Sequence, residues 1–379
     1  MFNSYEDMKN FIPVNEPIIG QKEKELVMEC LNTGWISSEG PFVSQFEESF
    51  SKFVNRKHGI ACSNGSSALD IAITALGIGP GDEVILPTFT IISCASSIIR
   101  AGAIPVVVDA DEKTFNMDTD QIESLINEKT TAIMMVHIYS HPVDVDKVIE
   151  IAKKYKLAVI EDSAELIGAE YKGKKCGSFG DISTFSFYPN KHITTGEGGM
   201  VVTNDDSLAE KCKSLRNLCF QKDKRFVHEE LGWNYRMTNL QAALGLGQLE
   251  RINQTINKKR KIGRTYTKYL DGIPNLKLPL EKTEFSENIY WVYGILVEEG
   301  FCDAQKIIKQ LSQRGIGSRP FFYPIHKQPI LLKRGYFKNI NKPFFAEKLY
   351  RQGFYIPSGV ALREEDIIKV VEEIKQIFK

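Results

Sequence analysis

The short runs Thr131-Ala-Ile-Met-Met-Val136 and Leu157-Ala-Val-Ile160 are apolar at even and odd positions alike. Successive side chains of a strand point to opposite faces, so a run that is apolar on both faces is a strand covered on both sides. Strands of this kind belong to mostly parallel sheets held between two layers of helices. Outward from these two runs, segments of helical period alternate with further short apolar runs. The pattern predicts helices near 67–76, 93–101, 119–126 and 145–155, and strands at 83–86, 105–108, 132–137 and 158–161. This is an α/β domain, with the N-terminal segment included, at 1–250. After Thr238 the pattern changes to a long connector helix, 239 to about 270, whose Lys-Lys-Arg-Lys run at 258–261 reads as a solvated face. A strand at 289–297, a helix at 304–314, a short strand at 354–356 and an amphipathic closing helix at 364–378 make a smaller α+β domain at 251–379.

The chain has 379 residues, with 48 basic and 48 acidic side chains and 42% hydrophobic residues, which is globular composition with room for two cores. A formal net charge of zero removes the broad attraction that nucleic acid or an anionic membrane surface would need. Seven cysteines without C-x-x-C spacing are no disulfide framework and predict reduced thiols in a cytoplasmic protein. Residues 1–9 include Glu6, Asp7 and Lys9, unlike a signal peptide. The stretch 84–99 is uncharged but contains Pro87 and falls short of the ~20 apolar residues of a membrane span. No His/Cys cluster has zinc spacing, so no metal is expected. Gly77-Ile-Gly-Pro-Gly81 follows a helix and contains proline, the wrong context for a dinucleotide loop.

Chemistry concentrates in Asp181-Ile-Ser-Thr-Phe-Ser-Phe-Tyr-Pro-Asn-Lys-His-Ile-Thr-Thr-Gly-Glu-Gly-Gly-Met200, which sets one lysine in an apolar and small-residue run. Desolvation pushes a lysine pKa down from ~10.4 and frees the neutral amine for Schiff-base formation, so Lys191 is the candidate nucleophile. Gly196, Gly198 and Gly199 would let the backbone pass close to a flat ligand. Upstream, Val159-Ile-Glu-Asp-Ser-Ala-Glu-Leu-Ile-Gly168 puts Asp162 just past the end of a buried strand, the edge at which open α/β sheets bind ligands. A carboxylate there suits a protonated ring nitrogen, and a lysine plus such an aspartate is what pyridoxal phosphate chemistry requires. Ala61-Cys-Ser-Asn-Gly-Ser-Ser-Ala-Leu-Asp70 adds a helix start whose amides and hydroxyls suit a phosphate. Taken singly, Lys191 reads as a loop lysine and Asp162 as a helix cap. The combination is what carries weight.

In this order, these segments resemble the fold-type I pyridoxal phosphate enzymes (aspartate aminotransferase-like), and among them the sugar aminotransferases of the DegT/DnrJ/EryC1/StrS family. The resemblance spans nearly the whole chain: Thr33-Gly-Trp-Ile-Ser-Ser38, Pro87-Thr-Phe-Thr90, Glu161-Asp-Ser-Ala-Glu165, Phe185-Ser-Phe-Tyr-Pro-Asn-Lys191, Gly232-Trp-Asn-Tyr-Arg-Met237, Gln241-Ala-Ala243 and Phe322-Tyr-Pro-Ile-His326. It implies that Lys191 bears the cofactor and then moves a proton, and that Asp162 keeps the ring nitrogen protonated. It further implies that Ser186 and the Gly65, Ser66, Ser67 turn hold the phosphate, with Glu165 beside the cofactor. Asn234 or Arg236 would reach the phosphate from the neighbouring subunit of a homodimer with shared sites. Trp35, Ser37, Tyr323 and His326 are the candidate sugar-nucleotide contacts. Family members commonly stack an aromatic on the cofactor two residues beyond Phe89, where this chain has Ile91; the ring contact is then either aliphatic or made by Phe89.

The run after the lysine resembles that of the perosamine-forming members, which aminate C4 of a nucleotide-linked 4-keto-6-deoxy sugar. The implied reaction moves an amino group from L-glutamate to GDP-4-keto-6-deoxymannose, for surface polysaccharide or another glycoconjugate. A UDP- or dTDP-linked acceptor, a sugar dehydrase on the same cofactor, and a non-catalytic sugar-sensing regulator are the alternatives. The dehydrases of this family carry histidine at the lysine position, whereas register puts Lys191, not His192, there. His137, His141 and His192 read as turn or packing residues.

Overall fold

A computed structural model describes residues 11–340 and 342–379; the stretch 1–9 lies outside the described residues. The strands in chain order are β1 (His58–Cys62), β2 (Glu83–Pro87), β3 (Ile104–Val108), β4 (Thr130–Val136), β5 (Ala158–Asp162), the hairpin β6 (Glu170–Tyr171) and β7 (Lys174–Lys175), β8 (Ile182–Ser186), β9 (Gly199–Thr203), β10 (Leu276–Lys277), β11 (Tyr293–Val297), β12 (Arg319–Pro320) and β13 (Gly353–Ile356). Seven of them form one sheet in the order β1-β9-β8-β5-β4-β2-β3. Pairs β3/β2, β2/β4, β4/β5 and β5/β8 are parallel, and β9 alone runs against its neighbours β8 and β1.

Both faces of this sheet are dry. Ile133 and Met135 enter one core cluster, with Val145, Val148 and Ile151 of the helix Val145–Tyr155, while Met134 and Val136 enter another, with the helices Gly65–Ala75 and Ile92–Arg100. Ile60, Ala61 and Cys62 of β1 alternate between clusters in the same way. The chain runs outward from β2 to β3 and then crosses back to β4 on the other side of β2, so the reversal of direction lies between β2 and β4. Open α/β sheets bind ligands outside the carboxyl ends of strands at such a point.

A second, antiparallel sheet, β10-β11-β13-β12, has its own core with the helices Ile252–Leu270, Ala304–Gln313 and Glu364–Ile377. Four expectations change. The 119–126 segment forms two short 3₁₀ turns, Thr119–Gln121 and Glu123–Leu125, because the Asp118 side chain takes Asp120 N and Gln121 Nε2 and tightens the turn. The connector is two helices, Asn239–Glu250 and Ile252–Leu270, broken at Arg251, whose guanidinium is drawn to Glu23 and the Ile18 carbonyl. The strand expected from 289 starts only at Tyr293. In the basic run, Lys259 is not solvated at all; it is buried.

One buried anion organises the sheet behind the cavity. Glu161 on β5 accepts from Gly177 N (2.5 Å), Phe179 N (2.9 Å), Gly180 N (3.1 Å), Ser163 Oγ (3.1 Å) and Ser183 Oγ (3.0 Å), and pairs with His137 Nε2 at 3.1 Å. Burial alone would raise its pKa, but His137 and these amides pull it to about 2. The buried Arg56 serves the carbonyl side of the same loop, with Nε donating to Gly177 O (2.8 Å) and Nη2 donating to Gly180 O and to Ser183 Oγ at 3.2 Å. Glu161→Gln would turn an NH₂ group toward amides that donate. We expect it to cost roughly 3 kcal/mol of stability in chemical denaturation, and a loss within experimental error would show that the loop does not depend on the charge.

Candidate active site

The carboxyl ends of β4, β5 and β8 deliver His137, Asp162 and Ser186 to one cavity of about 560 Å³. The N-terminus of the helix Gly65–Ala75 closes its floor with Asn64, Gly65 and Ser66, and the loop after β8 brings Tyr188, Asn190 and Lys191. The second domain contributes Trp291, Phe322 and Tyr355.

Each polar group is held by its element. Asn64 caps the helix: its Oδ1 accepts from Ser67 N (2.8 Å), and Ser67 Oγ accepts from Asn64 N (3.0 Å) and donates to Asn64 O (2.7 Å). The amides of Gly65 and Ser66 are therefore the first-turn donors left for an anion. Ser66 Oγ lies 2.8 Å from Ser93 Oγ, and a Cβ on Gly65 would sit 2.8 Å from Ser186 Cβ, so only glycine lets these two segments meet. Asp162 is buried, with Oδ1 accepting from Ala164 N (3.0 Å) and Oδ2 accepting from the Cys94 thiol (3.4 Å). His137 Nδ1 accepts from Val143 N (3.2 Å), which leaves the proton on Nε2, directed at Glu161.

Burial dominates the electrostatics. It lowers the Lys191 pKa, against the pull of the Glu165 and Asp162 charges, and raises that of Asp162. Glu165, whose Oε2 accepts from Tyr139 N at 2.8 Å, is pushed up to about 8 by burial. The Lys191 Nζ sits 3.7 Å from the centroid of the Trp291 ring. Two buried polar atoms of the lining, Asn190 Oδ1 and Trp291 Nε1, have no hydrogen-bond partner among the described residues. Buried polar groups are nearly always satisfied, so these orphans point to a polar ligand.

Of the residues singled out in the sequence, Lys191, Asp162, Glu165, Ser186, Gly65 and Ser66 meet in this cavity. Ser67 does not line it; its hydroxyl belongs to the helix cap. Phe89 lies in an aromatic cluster with Tyr139, Phe321 and Phe322, and Ile91 lines the cavity in its stead. His326 is buried between Thr88 Oγ1 (2.6 Å) and Glu347 Oε1 (3.2 Å), and the Tyr323 ring packs edge-on against Tyr350. The carbonyls of Trp35 and Ser37 anchor Asn239, and Arg236 Nη1 donates to Asn217 Oδ1 (2.7 Å), beside the bridge pairing Asn217 with Asn234. Trp35, Ser37, Asn234, Arg236, Tyr323 and His326 thus do not line the cavity of their own chain. Gly199 has a different task from the one expected: a Cβ there would come 2.4 Å from the Asn64 carbonyl oxygen, so its bareness serves contact with backbone rather than with a ligand. Trp291 and Tyr355 carried no sequence signal, and Asn190 and Phe322, though inside the family-like stretches, were given no role of their own, because their place in the cavity comes from a loop and from the part of the chain around the second sheet.

The model of the DegT/DnrJ/EryC1/StrS aminotransferase family matches residues 17–375. The chain belongs to that family. It is 42% identical to the GDP-perosamine synthase of Caulobacter vibrioides over 97% of this chain and 98% of that protein, and 41% identical to the GDP-perosamine synthase of Escherichia coli O157:H7 over 97% and 99%. Among solved structures, PseC of Helicobacter pylori, an aminotransferase involved in the biosynthesis of pseudoaminic acid, superimposes with a TM-score of 0.91 at 28% identity, covering 97% of this chain and 99% of that one. The putative sugar aminotransferase Spr1654 of Streptococcus pneumoniae, in its PMP-form, gives 0.90 at 27% identity over 97% and 98%. DegT/DnrJ/EryC1/StrS aminotransferases depend on pyridoxal phosphate, and this cavity suits it: a buried amine, a carboxylate at a strand end, and hydroxyls and free amides at a helix start.

Glu165 gives a test that needs no cofactor. With a folded pKa of about 8 against 4.5 for a free side chain, the native state keeps a proton that the unfolded chain loses. The stability contributed by that proton is fully present below the unfolded value and is lost as pH rises to about 8. Glu165→Gln has no such loss. The thermal midpoint of the apo-variant relative to wild type should therefore climb from pH 4.5 to about 8 and then level off; a constant difference would refute a protonated Glu165.

Proposed function

We propose that this aminotransferase moves the amino group of L-glutamate to C4 of GDP-4-keto-6-deoxymannose, forming GDP-perosamine for a surface polysaccharide. The observation that carries the reading is near-full-length identity of 38 to 42% with three GDP-perosamine synthases, joined to a cavity with one desolvated lysine that feels two carboxyl groups, Glu165 and Asp162. Pyridoxal phosphate, when bound, supplies an electron sink for the carbanion formed as the amino group changes carrier.

The chain's own groups do the rest. Lys191 Nζ would hold the cofactor and would move the proton at the substrate carbon; burial lowers its pKa and so favours the neutral amine that both tasks need. Asp162 would hold the ring nitrogen of the cofactor in its protonated form. Burial raises its pKa, but an adjacent cation drives the equilibrium back toward the carboxylate, so carboxylate and ring proton stabilise each other. Glu165, whose pKa burial raises to about 8, would have a hydrogen to offer the cofactor. Ser66, Ser186 and the first-turn amides take the phosphate. Phe322, Tyr355 and Trp291 wall off water from the side of the second domain.

We also place the working enzyme as a homodimer in the cytoplasm. Met28, Leu31, Trp35 and Ile36 are exposed along one segment, and Phe226 and Leu231 protrude from a loop near Arg236 in sequence, which supports burial of these surfaces against a second copy. Asn234, Arg236, Trp35 and Ser37 would then complete the partner's cavity. Among the described residues, no helix is long and apolar enough to cross a membrane.

The test is a mass-spectrometric assay with pyridoxal phosphate, L-glutamate and GDP-4-keto-6-deoxymannose, with UDP- and dTDP-linked keto-sugars alongside. Amino-sugar is expected from the GDP reaction, and Lys191→Ala should lower the rate by at least ~10⁴. A product from UDP or dTDP substrates alone would overturn the acceptor, and normal turnover by Lys191→Ala would overturn the site.

A further inference from the structure

Lys259 stands out once the reaction is set aside. It sits in a basic run on the helix Ile252–Leu270, between the exposed Lys258 and the half-buried Arg260, yet it is only 3% exposed. Among the described residues it has no carboxylate partner. Its ammonium donates to two main-chain carbonyls, Ser358 O at 2.6 Å and Trp291 O at 2.8 Å. Desolvation lowers its pKa to about 7, so keeping this cation buried costs stability. A leucine or methionine would fill the space without that cost, which leaves the two hydrogen bonds as the distinctive feature of a lysine here.

Both ends of the Trp291 peptide unit are gripped. Its N–H donates to Ser140 Oγ at 2.5 Å and its carbonyl accepts from Lys259. These bonds hold the segment before β11 out of the ladder, since Tyr290 adopts a left-handed φ of +49° and pairing with β13 begins only at Tyr293. Ser140 itself, with φ +81°, follows Tyr139 at +47°, so the turn after β4 is strained to reach Trp291. The indole carried by this clamped unit lines the cavity, lies over Lys191 Nζ with the ring centroid at 3.7 Å, and is itself only 4% exposed.

We propose that Lys259 is a positioning residue: by fixing the Trp291 carbonyl it holds the indole over the Lys191 amine, and it thereby sets the water exclusion and reactivity of that amine. This rests on the reading of Lys191 as the cofactor-bearing group. Lys259 touches no reacting atom; it acts through one peptide unit and one ring.

The test uses the full chain in two arms. In the first, Trp35→Phe and Trp233→Phe leave Trp291 as the sole indole, and acrylamide quenching of the apo-protein is compared with and without Lys259→Met. Freed from its tether, Trp291 should be quenched roughly twofold or more faster. In the second, on the holoenzyme, Lys259→Met should slow the single-turnover glutamate half-reaction about tenfold while leaving the glutamate dissociation constant nearly unchanged, the split expected when a reacting group is misplaced. In a Trp291→Ala background, Lys259→Met should add nothing further. Lys259→Gln, which keeps one donor, should recover part of both effects and covers the case in which the methionine variant folds poorly. Unchanged quenching, an unchanged half-reaction, or effects of Lys259→Met and Trp291→Ala that multiply would each overturn the proposal. A wild-type protein that never converts its cofactor with glutamate would instead refute the reading of the site, and the quenching arm would still decide whether Lys259 holds the ring.

Discussion

Two carboxylates sit side by side at the end of β5, and strand geometry sends them to opposite faces. Glu161 turns into the interior, where the loop amides of Gly177, Phe179 and Gly180 and the hydroxyl of Ser183 close around it. Asp162 then has to turn into the cavity. A slip of one residue in the register of β5 would exchange them, putting the cavity carboxylate among the loop amides and the anchored one in the cavity. Because Glu161 is held from both sides of β5, by His137 just past β4 and by Ser183 of β8 with the loop before it, that slip is closed off. The register pairing Asp162 with Thr184 also fixes how far β8 extends, and so where Ser186 ends and the loop to Lys191 begins. The position of each reacting group is thus referred back to one fully bonded anion that takes no part in the chemistry.

The same contrast explains how one buried region holds carboxyl groups of very different acidity. Glu161 has many donors and stays ionised far below neutral pH, whereas Glu165 has a single backbone donor and is protonated well above the usual carboxylate range. Number of hydrogen bonds, not depth, separates them, since both are buried. His137 connects the two regions: its ring lines the cavity, while its Nε2 proton is directed at Glu161.

Beside β11 and β13 of the second sheet, the strands of the seven-stranded sheet that could be read from the sequence were those whose two faces are simply apolar: β2, β3, β4 and β5. β8 sits in the middle of the same sheet but reads Ile-Ser-Thr-Phe-Ser, because Ser183 is there to serve Glu161 rather than to fill a core. A polar residue buried for a partner elsewhere in the chain leaves no periodic mark. β1 and β9 were missed as strands although their site-side ends, Ala61-Cys62 and Gly199-Met200, were quoted, since His58-Gly-Ile-Ala-Cys62 and Gly199-Met-Val-Val-Thr203 are short and flanked by the glycines and small residues of the site. The cavity residues that could be read were those fixed by strand ends and a helix cap: Asp162, Ser186, Gly65 and Ser66. Lys191 was legible through its neighbours rather than its own loop. Trp291 and Tyr355 were not, and Phe322 was quoted only as part of a family-like stretch, because nothing local says that the chain around the second sheet folds back over the first.

That folding back is itself secured by polar contacts at the seam. Thr88, just past β2, bonds His326 in both directions, through His326 N and through Nδ1, and the other ring nitrogen reaches Glu347 at the start of the helix Phe345–Gln352. Asp109, just past β3, accepts from Phe345 N and Ala346 N at the same helix start. Lys259 ties the connector helix to Trp291 and Ser358. Apolar packing alone would let the second domain slide over Phe89 and Tyr139, since contact between aromatic faces is tolerant of small displacements. Hydrogen bonds between fixed main-chain groups are not tolerant in that way. The seam therefore uses buried polar groups for registration rather than for stability, and the wall it registers is the one that stands over Lys191.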